Sequence, residues 1–190
     1  MTDPVWREIV EQVQGVSADI FATLNPPATE AEIEALEQRV GVAVPQAFKD
    51  YLATVNGQNE AGAEYPLVGY RRLYGVAEII EQMDLLESLF DATEVAAGAE
   101  NKIRQLLWSL RWVPFASFEG YDALIMDLDP PGNGVYGQVW SLSPGGDREG
   151  DDAVLAESFE EFSVGLLGRL KARRFKLENG VIVFEDYWAA

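Results

Sequence analysis

Two carboxylates, Asp127 and Asp129, stand two residues apart in Leu124-Ile-Met-Asp-Leu-Asp129. On a strand such a pair shares one face, about 6–7 Å apart by strand rise. Carboxylates so placed suit glycoside cleavage, or a hard cation such as Ca²⁺ or Mg²⁺. Nothing else in the chain resembles a sugar cleft. A calcium loop needs further oxygen ligands and a closing Glu, and that position holds Gln138. Pro130-Pro131 also follow directly. A structural or partner-facing role fits better, because an Asp at a strand end accepts backbone N–H bonds from the turn beyond.

Other chemistry is thinner still. The chain has no His and no Cys. That removes zinc sites, His-dependent triads, thiolates and disulfides. Gly132-Asn133-Gly134 and Gly145-Gly146 follow no phosphate-loop or dinucleotide pattern and read as turns. Arg71-Arg72 and the stretch from Lys171 to Lys176 are the basic clusters. Arg173-Arg174 near a helix C-terminus complements the helix dipole. No catalytic constellation emerges, and no cofactor is implied. The reading is a non-enzymatic binding protein.

Charge bounds the partner. There are 14 Lys+Arg against 32 Asp+Glu, a net of −18. Phosphate contact needs clustered cations, so nucleic acid is disfavoured. A field of this sign steers a basic partner. It also serves solubility without any partner. No run approaches the length of a membrane span and no cationic-then-apolar leader opens the chain, so the expected location is the cytoplasm.

The elements that must position these residues are legible. Trp112–Phe118 suits a buried strand, Glu119-Gly120 a turn, and Leu124–Asp129 a second strand with alternating sides. Pro130 to Gly134 is a loop, and Val135–Leu142 resumes as strand. This antiparallel meander is expected at the centre of the sheet. Before it, Asp3-Pro4 starts a helix that Gly15 ends. Residues 18–24 are ambiguous. Thr29–Val40 is the clearest helix, with Thr29 and Glu32 as a capping box and Gly41 as the stop. Pro45 opens the next, whose Phe48, Tyr51, Leu52 and Val55 face the core. Asn56-Gly57 closes it.

Leu67–Tyr74 should contain a strand. Val76 to about Phe90 should be a helix, 91–99 a loop, and Asn101–Leu110 a short helix. After a polar loop over 143–152, Ala153–Ala156 is a short strand. Ser158 then caps a helix, with Glu161 as its capping-box partner. Asn179-Gly180 is a hairpin turn between Phe175–Glu178 and Val181–Glu185. Together these give an α+β fold in one domain over 1–190. Its helical part is 1–57, sheet and helices span 67–172, and a hairpin covers 174–186.

Three stretches resemble the SUKH superfamily. They are Glu-x-x-Ile-x-x-x-Glu with Gly-x-x-x-Pro, Phe-Lys-x-Tyr-Leu and Val-Asn-Gly; the meander with Gly-x-Asp, Leu-x-x-Asp-Leu-Asp and Gly-Gln-Val; and a strand followed by Ser-Phe-Glu-Glu-Phe. The superfamily holds SMI/KNR-type regulators of yeast cell-wall synthesis and bacterial immunity proteins against polymorphic toxins. The resemblance implies a protein partner, either a cognate toxin, often a nuclease, or an endogenous enzyme held by a regulatory scaffold. It carries no fixed catalytic set. Contact residues are therefore expected among exposed acids and aromatics beside the sheet: Glu119, Tyr121, Asp122, Asp127, Asp129, Tyr136 and Trp140.

Overall fold

The computed structural model describes residues 4–90, 102–120, 122–142 and 154–185. Helix α1 (Pro4–Val16) is followed by α2 (Ala18–Ala22), α3 (Glu30–Val40) and α4 (Gln46–Leu52). A 3-10 turn (Glu60–Ala63), strand β1 (Arg72–Leu73) and helix α5 (Val76–Leu89) come next. The meander is β2 (Trp112–Phe118), β3 (Asp122–Asp127) and β4 (Gln138–Leu142). Strand β5 (Val154–Ala156), helix α6 (Phe159–Lys171) and the hairpin β6 (Phe175–Glu178) and β7 (Val181–Phe184) are the last elements among the described residues.

The five-stranded sheet runs β1-β2-β3-β4-β5, every pair antiparallel. The meander thus occupies its centre, and β6–β7 forms a separate two-stranded sheet. The fold is α+β.

Local chemistry sets the helix ends. Thr29 and Glu32 close a full capping box, and Gly41 ends α3 at φ +79°. Ser158 caps α6 by accepting from the Glu161 N–H at 3.0 Å. The Glu161 carboxylate takes the Glu157 N–H at 2.8 Å, one residue before the expected cap position. Asn179 and Gly180 have φ of +52° and +86°, as a tight hairpin turn demands.

Two expectations change. No helix forms over the described residues 102–110. Ile103 and Trp108 are both buried five residues apart, a spacing that no single helix face supplies. Leu67–Tyr74 does contain a strand, kept to the short Arg72-Leu73 because Val68 and Arg71 close a tight turn around Gly69 at φ +61° before it. Strand β4 starts at Gln138 rather than Val135, since Gly137 at φ +82° breaks the extended run. Asp3, Asn101, and the loops expected at 91–99 and 143–152 lie outside the described residues.

The core joins the helices to the sheet. Phe159 of α6 meets Trp6 of α1, Phe48 and Tyr51 of α4, Phe115 of β2 and Phe162, with ring centroids 4.8–6.2 Å apart. Trp6 Nε1 donates to Ser163 Oγ at 3.0 Å, so α1 and α6 also share a buried polar contact. Among the described residues, no helix is long and apolar enough to cross a membrane.

Candidate partner-binding surface

The meander's central strand carries the sequence's two carboxylates, and the register decides their fates. Asp127 pairs across the ladder with Trp112 on β2 and with Gln138 on β4. Both faces of β3 are covered, so residues 123–128 are all buried. Asp127 is therefore 0% exposed, which corrects its assignment as an exposed contact. The strand ends there, and Asp129 emerges half-exposed in the turn beyond.

Buried Asp127 is fully employed. Its Oδ1 accepts the Asp129 N–H at 2.9 Å, the strand-end bond expected from sequence. Its Oδ2 accepts from Gln138 Nε2 at 3.3 Å. Gln138 Nε2 also donates to the Lys102 carbonyl at 2.7 Å, and its Oε1 accepts the Val135 N–H at 3.0 Å. One carboxylate and one amide thus tie three backbone segments together: residue 102, the 129 turn and the 135 turn. Gly134 packs into the same knot, where a Cβ would lie 2.5 Å from the Lys102 carbonyl oxygen. Among the described residues, no three acidic side chains converge on a metal position.

The environment of Asp127 raises its pKa to about 6, chiefly because burial penalises the charge. The bonds from Asp129 and Gln138 pull the other way; the Asp129 charge raises it further and Arg104 lowers it. Unfolded Asp titrates near 3.8, so the folded state holds this proton more tightly. The stability it contributes is full below about pH 4. It is lost as pH rises to about 6, at about 1.4 kcal/mol per unit, or about 3 kcal/mol in total.

Asp127→Asn removes the buried charge but turns an amide N–H₂ toward Gln138 Nε2, losing a bond of about 1 kcal/mol. We expect the variant to be more stable than the wild type by about 1–2 kcal/mol at pH 7.5. It should be slightly less stable at pH 4. Urea melts at both pH values check this. A stability difference that does not change with pH would refute it.

The knot presents a surface. Tyr136, 47% exposed, donates its hydroxyl to the Ala43 carbonyl at the α3–α4 junction. Burial of its ring raises its pKa, Arg111 opposes the shift and Glu37 adds to it. Gly137, beneath it, faces Pro45 so closely that a Cβ would lie 2.9 Å from Pro45 Cγ. Asp129 is gripped by Arg104, whose Nε donates to its carbonyl at 2.8 Å and lies 3.1 Å from Oδ2. Arg111 Nη1 stands 4.0 Å from Oδ1. Val135, Leu107 and Leu110 are exposed on these same segments. Aromatic and Arg side chains of this kind are what interface centres use.

The other candidates lie elsewhere. Asp122 starts β3, about 17 Å from Asp127 by strand rise. Its carboxylate receives Arg71 in a forked contact, Nη2 to Oδ1 at 2.8 Å and to Oδ2 at 2.9 Å. Glu119 is exposed in the β2–β3 turn at φ +51°. Trp140 is 0% exposed, with its ring edge-on to Trp112 at 4.9 Å, which corrects its place among exposed aromatics. An indole on a strand covered on both faces has nowhere else to go. Tyr121 lies outside the described residues.

Sequence reasoning missed Arg104, Arg111 and the role of Gln138. It noted Arg71 only as part of a basic cluster and did not place it inside the fold, where it is 1% exposed. One signal was available for Arg71: a cation set among Leu67, Val68, Tyr70, Leu73 and Tyr74 needs a carboxylate inside the fold.

The motif residues now have structural roles. Gly120 and Asp122 form the turn and Arg71 pair, Asp127 and Gln138 form the knot, and Asn56 Oδ1 caps α5 through the Val76 N–H at 2.8 Å. No curated protein matches the chain at a significant level. The model of the SMI1 / KNR4 family (SUKH-1) matches residues 27–164, from the approach to α3 into α6. The chain belongs to the SMI1 / KNR4 (SUKH-1) family.

Proposed function

We propose that this is a non-catalytic binding protein, an immunity protein that captures and neutralises a basic cognate toxin. The observation that carries this reading is the excess of 32 acidic over 14 basic residues on a SUKH-1 scaffold. The resemblance to SUKH immunity proteins supplies the class of partner, and the charge supplies its sign. A nuclease suits both, because a protein that grips phosphate carries clustered Lys and Arg. An acidic inhibitor competes for that groove and gains association rate from the field. Tyr136, Asp129 and Glu119 are the proposed contacts, with Tyr121 and Asp122 at the β2–β3 end. Asp127 and Trp140 act from inside, holding the segments that carry them.

The test is capture from a lysate of the source organism on the tagged full chain, with washes at rising salt and mass spectrometry of the eluate. The expected partner is basic, arrests growth when expressed alone, is harmless when this chain is present, and releases at high salt. Tyr136→Ala should weaken that capture about thirtyfold, the lower bound of an interface hot spot. A non-toxic housekeeping enzyme, retained regardless of salt, would replace this reading with that of a regulatory scaffold.

A further inference from the structure

A cleft of about 390 Å³ opens at the β2–β3 end, away from Tyr136. That volume lies at the small end of ligand sites, about 300–1,000 Å³, and suits one or two side chains. Its walls are aromatic: Tyr70, Tyr74 and Phe118, with Gln82 from α5 and Glu119 from the hairpin turn. Tyr70 is 53% exposed and Phe118 37%. Leaving two large rings beside one hollow forgoes burial worth about 25 cal/mol per Å² of apolar surface, and exposed rings of this kind mark binding sites.

The charges decide which side chain fits. Arg72 lines the cleft, but its guanidinium is already committed. Nη1 donates to Glu78 Oε2 at 3.0 Å and to the Gln58 carbonyl at 2.9 Å. Nη2 bonds Glu78 Oε1, and the group lies 5.3 Å over the Tyr74 ring. An incoming anion would find that cation neutralised, and would meet Glu119 in a chain of net charge −18. An incoming cation meets a carboxylate and electron-rich ring faces instead. Its aliphatic stem would cover the exposed apolar area, as Lys and Arg stems do on apolar surfaces.

We propose that this cleft receives an arginine or lysine side chain of a protein partner, its stem between Tyr70 and Phe118 and its charged head toward Glu119. The proposal deepens the binding-protein reading by naming a second contact point and the residue type that it takes. It rests on that reading for its biological meaning, but its test does not need the partner.

The probe is Nα-acetyl-arginine amide, titrated into the full chain while the aromatic NMR resonances are followed. Nα-acetyl-norleucine amide and Nα-acetyl-glutamine amide serve as controls. The expected result is a saturable millimolar shift of the Tyr70 and Phe118 ring signals with the arginine probe. Norleucine should bind more weakly, and Glu119→Gln should weaken the arginine probe about two- to fivefold, the scale of an exposed ion pair. Tyr70→Ala, at an exposed position that leaves the fold intact, should abolish the shift. Equal binding of norleucine, insensitivity to Glu119→Gln, or no shift at those rings each overturns the proposal. If the probe binds while the lysate yields no toxic partner, the immunity reading falls and the cleft stands. If a toxin is captured and the probe fails, the cleft falls and the reading stands.

Discussion

Phe159→Ala is expected to cost about 3–5 kcal/mol of stability, the range for removing a buried aromatic ring. Phe159 is 1% exposed and opens α6 immediately after its Ser158 cap. Its ring is edge-on to Phe48 at 4.8 Å and to Phe115 at 5.2 Å. It stacks with Trp6 at 6.2 Å and touches Tyr51 at 5.7 Å. Those neighbours come from α1, α4 and β2, so the vacancy would be walled by elements that cannot collapse together. Aromatic pairs add about 0.5–1.5 kcal/mol each beyond area burial, which places the expectation in the upper half of the range. Phe159→Leu retains most of the volume and should cost about 1–2 kcal/mol. The check is the urea midpoint at an unchanged m-value. A loss below about 2 kcal/mol for Phe159→Ala would mean that the α6 entry is not the junction described here.

Asp122→Ala is expected to cost about 3 kcal/mol, near the low end for breaking a buried ion pair. The asymmetry of the pair sets this value. Arg71 is 1% exposed, whereas the Asp122 side chain is about 25% exposed. Removing the carboxylate leaves a buried guanidinium with Ser141 Oγ at 3.3 Å as a neutral contact. Water reaches the Asp122 side and moderates the loss. Arg71→Met should cost less, because it leaves behind a carboxylate that solvent can reach. The double variant Arg71→Met/Asp122→Ala should recover about 1–2 kcal/mol relative to Asp122→Ala alone, since no buried charge then remains. Additive single-variant losses would show that the pair does not act as a unit. Comparison with Glu119→Gln separates structure from recognition at the β2–β3 end: Asp122→Ala should change stability as well as the proposed contact, whereas Glu119→Gln in the exposed turn should change binding alone.

The sequence determined by itself whatever rests on local chemistry. Thr29 and Glu32 fix the start of α3, Gly41 its end, and Asn179-Gly180 the last hairpin, because caps and tight turns depend on a few adjacent residues. The stripe Phe48, Tyr51, Leu52 and Val55 declared its buried side through helical spacing. The meander and its central place followed from strand alternation and turn residues, and the α+β class followed from the order of elements. The excess of acidic residues bears on the proposed basic partner, and it equally serves solubility.

The tertiary structure decided what depends on which surfaces are covered. Strand alternation puts Asp127 and Asp129 on one side, but only the packing of both faces makes Asp127 a buried tie and leaves Asp129 at the surface. The burial of Trp140 has the same origin. Arg71 and Asp122 are 51 residues apart, so no local pattern could pair them. Residues 102–110 lack a helix because Ile103, Trp108 and the Lys102 carbonyl answer to the sheet and to Gln138 rather than to one another. Local propensity specifies elements. Long-range burial assigns each polar side chain its role, because the cost of a buried charge or an unmet hydrogen bond depends on every element packed around it.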